Sequence, residues 1–195
     1  MLPWFLAALT LAAAALTAPA LGSHLYAVFD DRPNPAWDRW VTPLETTLLR
    51  WIGETGRSAE SVAAYLQPLL LSNLLCGAVA LALLLAQPGW LNARGFSGLH
   101  WDLALHTTIS FLTNTDQQHL IPEQSLGNLA QLGAMQFLMF VSAASGLAVG
   151  FAVIRGFSGR PIGNFYRDLL RSLTRVLIPA SVLLALFFPV SYTHL

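Results

Sequence analysis

Between Leu103 and His119 the chain sets an apolar segment, LALHTTISFL, directly against a polar one, Thr113-Asn114-Thr115-Asp116-Gln117-Gln118-His119. A short helix followed by extended polar backbone is one way to build a cation filter. Backbone carbonyls can replace the hydration shell of an ion, and the helix C-terminus points the negative end of its dipole toward it. Small hydroxyl and amide side chains suit such a loop because they brace it by hydrogen bonds. On composition alone, an ordinary external loop with a buried amphipathic helix is an equal reading. A second chemistry lies in the same region: His100, Asp102, His106, His119 and Glu123 are all residue types that bind zinc. Their spacing matches no established signature and HEXXH is absent, so an intramembrane metalloenzyme stands as a remote alternative. No phosphate-cradling glycine loop and no nucleophile–base pair is present.

The elements that must position these residues are membrane helices. The 195 residues are 55% hydrophobic and 10% charged, against about 25% charged in soluble domains. A soluble fold of this length would have to hide more apolar surface than it can bury. No acidic or basic residue occurs from Met1 to Phe29, Ser61 to Ala93, Gln124 to Ile154, or beyond Arg175. A spanning helix needs about 20 mostly apolar residues, which predicts spans near Leu2–Leu21, Leu66–Ala86, Leu129–Ile154 and Leu169–Pro189. Ala18-Pro19-Ala20 has the look of a signal-peptide cleavage site, but the positively charged n-region is missing, so the first segment is read as a retained span. The ten-residue Leu103–Leu112 segment is too short to cross and suits a re-entrant helix. The fold class is therefore an all-α membrane protein.

All ten cationic side chains are arginine, and nine of them lie in the connector before the second span and the stretch after the third, against Arg94 alone in the connector between those spans. The positive-inside rule then puts the N-terminus and the filter-like loop outside and the arginine-rich connectors in the cytoplasm. Net charge is zero, which leaves no basic footprint for nucleic acid; membrane lipid is the expected surrounding partner. Cys76 reads as packing. Gly146 and Gly150 form a GxxxG pattern, read as helix packing inside the chain. Asn73, Gln131 and Gln136 read as interhelical hydrogen-bond formers, and Arg155 and Arg167 through Arg175 as snorkelling anchors at the headgroups.

Three ordered blocks carry a resemblance. TISFLTNTDQQ (Thr108–Gln118), QFLMFVSAASGLAVGFAVIRG (Gln136–Gly156) and GNFYRDLLR (Gly163–Arg171) resemble the potassium-binding A subunits of Kdp potassium-transporting ATPases. Pro43-Leu44-Glu45, Tyr65, Asn73 and Leu91-Asn92 agree more weakly. The resemblance implies a potassium-channel-like span–pore loop–span repeat with an extra N-terminal span. It divides the chain into an N-terminal helix (1–22), a cytoplasmic connector (23–65), a first repeat (66–154, with pore helix and filter in 102–118), a second connector (155–168) and the start of a second repeat (169–190). It further implies that the backbone carbonyls of Thr113, Asn114 and Thr115 coordinate potassium, the transported ion, and that Asp116 and Gln118 stand at the filter mouth. The implied partners are an ATP-hydrolysing P-type subunit and small accessory subunits in the bacterial inner membrane, so ATP hydrolysis is expected on a partner. A stand-alone potassium channel or secondary potassium transporter of the same pore plan is the alternative.

The chain departs from the family pattern in places. Asp116-Gln117-Gln118 stands where many members read Asn-Trp-Gln, Pro122-Glu123 where Gly-Glu is common, and Leu91-Asn92-Ala93 for Leu-Asn-Pro. An aspartate at 116 either concentrates cations at the mouth or braces the loop. A filter of this type needs four loops around one axis and this chain supplies one. The terminal Ser191-Tyr192-Thr193-His194-Leu195 does not resemble the family's continuation, so a truncated or artefactual end is expected at 191–195 and the implied function belongs to the full protein.

Overall fold

The computed structural model describes residues 2–30, 32, 35–54, 57, 59, 61–87, 89, 92–117 and 119–187. Gln118, Leu91 and residues 191–195, singled out above, lie outside the described residues, as does Pro189.

Among the described residues the chain is all helical, and four helices are long and apolar enough to cross a membrane. These are α1 (Leu2–Phe29), α3 (Val62–Ala86), α6 (Asn128–Phe157) and α7 (Phe165–Leu186). Between them come α2 (Pro35–Ile52), α4 (Trp101–Leu112) and the single turn α5 (Pro122–Ser125). Ser61 starts α3 by accepting the Ala64 N–H on its hydroxyl at 3.2 Å, and Asn164 does the same for Arg167 at the start of α7 at 3.1 Å. Both are preferred N-cap residues because they satisfy otherwise orphaned amides.

Two π-helical turns interrupt the long helices, at Gln131–Gln136 in α6 and Ser172–Leu177 in α7. The second is followed closely by a proline. Pro179 lacks an N–H and cannot bond the carbonyl four residues back, which is that of Arg175. That carbonyl instead accepts from His24 Nε2 of α1 at 3.0 Å, so a helix defect becomes a cross-link between spans.

The core has two parts. One, around α4, joins Ala80 and Leu84 of α3 to Ala104 and Phe111 of α4 and to Leu126, Ala130, Ala134, Met135 and Leu138, with Cys76 packed against it. The other, at the arginine-rich end, joins Tyr65, Ala148, Ala152 and Phe165. Midway, Asn73 of α3 makes a long contact of 3.4 Å with Ser145 of α6, as expected of an interhelical polar pair. The other two intramembrane amides behave differently. Gln131 turns back to the carbonyls of Pro122 and Leu126 at 3.2 and 2.9 Å, bracing the connector, and Gln136 is exposed.

Three further features bear on sequence expectations. Gly146 and Gly150 are open: a Cβ at either would meet nothing within 4 Å. The packed face of α6 is the neighbouring one, carrying Ser142, Ala144, Ser145 and Ala148. Second, Arg155 and Arg175 are not snorkelling anchors. Arg155 donates to both carboxylate oxygens of Asp168 (2.7 and 3.1 Å), to Ile162 O at 3.1 Å and to Phe29 O at 2.7 Å. Tyr65 also donates to Asp168 Oδ2 at 3.1 Å and lies 2.9 Å from Ala148 O. Gly163, at φ +96, lets the chain pass this cluster; a Cβ there would lie 2.2 Å from Arg155 Nη1. Third, the stretch between the first two spans is largely helix. α1 runs on to Phe29, whose ring stacks on Phe151 at 3.8 Å, and α2 follows.

Arg175 fixes α2. Its Nε and Nη2 donate to Glu45 at 2.8 and 2.7 Å, Nη1 to Asp38 at 2.5 Å and Nη2 to Thr42 at 3.1 Å. Thr174 adds a 2.6 Å bond to Glu45. The Glu45 and Arg175 side chains are 7% and 8% exposed, so neither charge is left to water. At the surface nearby, Arg160 pairs with Asp30 and holds its carboxyl below the usual carboxylate range.

Removing one partner of a buried pair strands the other charge. Glu45→Ala is therefore expected to cost about 3 kcal/mol or more, read as a lowered unfolding midpoint of the protein in detergent. A loss no larger than that of an exposed-site control such as Thr46→Ala would contradict the assignment.

Candidate functional site

The loop after α4 is built from its backbone amides. α4 ends at Leu112, and Thr113 follows with φ −89 and ψ 5. Asn114 and Asp116 then take left-handed backbone, φ 57 and 52, which asparagine and aspartate tolerate better than other non-glycine residues. The consequence is that consecutive N–H groups all turn back onto the end of α4. Thr113 N–H reaches Ile109 O (2.9 Å), Asn114 reaches Phe111 O (3.4 Å), and Thr115 and Asp116 both reach Ser110 O (2.9 and 3.2 Å). Gln117 N–H donates to Ser110 Oγ at 2.6 Å, and that hydroxyl donates back to Gln117 O at 3.1 Å.

A trans peptide points its C=O opposite to the N–H of the next residue. With the amides of Asn114 through Gln117 turned onto the helix, the carbonyls of Thr113, Asn114, Thr115 and Asp116 are directed away from it. Among the described residues those of Thr113, Asn114 and Thr115 accept no hydrogen bond. The result is a row of free acceptors at the negative end of a helix, an arrangement suited to a bare cation.

The side chains brace this row. Thr113 Oγ1 donates to Ile109 O at 2.8 Å and lies 2.9 Å from Thr115 Oγ1. Ser142 of α6 donates to Asn114 Oδ1 at 3.3 Å, tying the loop to the following span. Asp116 is exposed and its carboxylate forms no hydrogen bond among the described residues; the bracing falls to Ser110.

Behind α4, the connector from α3 is fastened by two amides. Gln87, itself left-handed at φ 38, donates to Ser97 O (2.7 Å) and Ser125 O (2.9 Å) and accepts from Gly127 N–H (2.8 Å). Asn92 bonds both backbone groups of Phe96, at 2.6 and 3.1 Å. Gly98 slides against α3 so closely that a Cβ would lie 1.7 Å from Leu85 O. At the start of α4, His100 bonds Asp102 at 2.6 Å. That bond and the Leu103 N–H hold the Asp102 carboxyl below its ordinary range, keeping a negative charge on the helix's first turn, where the dipole favours it.

The five possible zinc ligands do not converge. His100 pairs with Asp102, His106 meets His119 edge to face at 4.4 Å between ring centroids, and no three such residues cluster among the described residues. Ser110, Ser142 and Gln87 were missed by sequence reasoning. Ser110 alone carried a signal, as a hydroxyl inside the apolar run just before the polar one.

Replacing Ser110 by alanine leaves the Gln117 amide unpaired at a cost of about 1–3 kcal/mol. Amide exchange at Gln117 is expected to quicken markedly while α3 stays protected, as measured by hydrogen–deuterium exchange; unchanged exchange in the loop would show that Ser110 does not hold it.

Residues 8–191 match the family described as the potassium-transporting ATPase A subunit. Curated relatives bear the name potassium-transporting ATPase potassium-binding subunit. One from Synechocystis is 42% identical over 94% of this chain, one from Gloeobacter violaceus 46% over 86%, and one from Edwardsiella ictaluri 43% over 89%. The chain spans about a third of their length, 33%, 29% and 30% respectively. It belongs to the potassium-transporting ATPase A-subunit family.

Proposed function

We propose that this chain forms the first pore loop of a potassium-binding subunit, and that the carbonyls of Thr113, Asn114 and Thr115 coordinate the ion. The observation that carries the reading is the one-sided backbone: the loop's amides are spent on Ser110 and its neighbours, so its carbonyls are left for a ligand. Potassium, with a weaker hydration shell than the smaller monovalent cations, is the ion for which carbonyl exchange is cheapest. The relatives' name, potassium-binding subunit, supports the same ion.

In this reading α3, α4 and α6 are span, re-entrant pore helix and span, and α7 opens the next repeat. A filter of four loops around one axis draws the other three from the remainder of a full-length subunit. In this reading the loop faces outside and α2 lies at the cytoplasmic face of a bacterial inner membrane, a sidedness the arginine distribution supports. Potassium selected at the loop then passes to an ATP-hydrolysing P-type subunit of the same complex, which small accessory subunits complete. Gly146 and Gly150, open within this chain, are surfaces where a further helix of that assembly could approach closely.

Asp116 has a specific role in this scheme. Its exposed carboxylate lies directly after the carbonyl row and raises the local concentration of cations; the family resemblance assigns Gln118 to the same mouth. Asp116→Asn is expected to weaken equilibrium binding of ⁸⁶Rb⁺ by the intact protein about five-fold at low ionic strength. The difference should shrink as inert salt screens the charge. Equal affinity at low salt would remove Asp116 from the mouth, and a loss that salt does not reduce would mark it as a brace instead.

A further inference from the structure

α2 wears its polarity inside out. Both of its acidic residues, Asp38 and Glu45, are bonded to Arg175. Its outer face carries Trp37, Trp40, Leu44 and Trp51, at 41%, 71%, 53% and 81% exposure. Offsets of three, seven and fourteen residues put these on one helical stripe. Arg39 and Arg50 are exposed beside it, with the Arg39 guanidinium 4.9 Å from the Trp40 ring. Tryptophan and arginine outward with no outward acid is the composition of a helix lying in an anionic membrane interface.

Beside α2 is a groove of about 460 Å³ between α1 and α7. Its walls include Leu21, Val28, Pro179 and Leu183, and Arg32 and Trp37 also line it. Arg32 is exposed and its guanidinium stands 4.5 Å from the Tyr26 ring. The cation deeper in the groove, Arg175, is already matched by Glu45 and Asp38, so the charge offered to a ligand is that of Arg32. Apolar walls with one cationic group and one indole at the exposed part match a single phospholipid: an acyl chain between the helices and an anionic headgroup at Arg32.

We propose that α2 lies in the membrane interface and, with α1 and α7, seats one anionic phospholipid in this groove. The proposal rests on the chain being membrane-spanning and not on the potassium reading, so ⁸⁶Rb⁺ binding by the same samples fails or succeeds separately.

The test incubates the detergent-purified protein with equal amounts of dioleoyl phosphatidylglycerol or dioleoyl phosphatidylcholine. Native mass spectrometry then reads the fraction retaining one lipid. Phosphatidylglycerol should be retained over phosphatidylcholine by about five-fold, the weight of one arginine against an anionic headgroup. Arg32→Gln, an exposed change, should level the two lipids, and Ala180→Trp, which fills the groove, should lower retention of both. Equal retention of the two lipids by the unaltered protein, or retention indifferent to both substitutions, would overturn the proposal. So would the absence of any retained lipid, the outcome if another segment or subunit fills the groove.

Discussion

A backbone amide at membrane depth must find a partner inside the protein, because hydrocarbon offers none. In this chain the amides of the loop after α4 find partners on the end of that helix, with a directional result. Ser110 takes three loop amides, two on its carbonyl and one on its hydroxyl, and by doing so decides which way the loop's carbonyls face. The left-handed backbone at Asn114 and Asp116 is the local cost of keeping several successive peptides turned the same way. Everything that holds α4 in place, from the Gln87 clamp to the Phe111 core, serves to keep that direction fixed.

The opposite end of the bundle is organised by a different constraint. Arg155 and Arg175 are taken out of water and must be fully bonded where they lie. Arg155 gathers the end of α1, the α6–α7 turn and Asp168; Arg175 gathers α2. The π-helical turn that contains Arg175 and the proline that follows it free a carbonyl for His24, so α1 is held by the same segment. The two ends are linked through α3 and α6, whose small residues Ala148 and Ala152 let Tyr65 and Phe165 close over the lower core.

The spans were legible because charge is costly in hydrocarbon: the charge-free stretches locate α1, α3, α6 and the second half of α7. The short helix α4 was legible by the same logic, through an apolar run too brief to cross. What stayed hidden was the use of charge inside the protein. Arg155 and Arg175 read as anchors because sequence shows a cation near a span end but not the carboxylate that folds back to it, Asp168 across the next turn or Glu45 from far along the chain. α2 was hidden for a related reason: its acids point inward and its tryptophans outward, so a rule that turns polar residues to water misplaces it. In the site, the Thr113–Thr115 run was visible as polar sequence, whereas the one-sidedness of its backbone was not, because that depends on Ser110 and on two dihedral angles.

In the proposed site the carbonyls of Thr113, Asn114 and Thr115 hold the ion. Thallium substitutes for potassium and scatters anomalously, so crystals of the full-length protein grown in thallium give a direct reading. Anomalous density within coordination distance of these three carbonyls, reduced by competing potassium and not by sodium, is the predicted result. Density confined to carboxylates such as Asp116, with none along the carbonyl row, would contradict it.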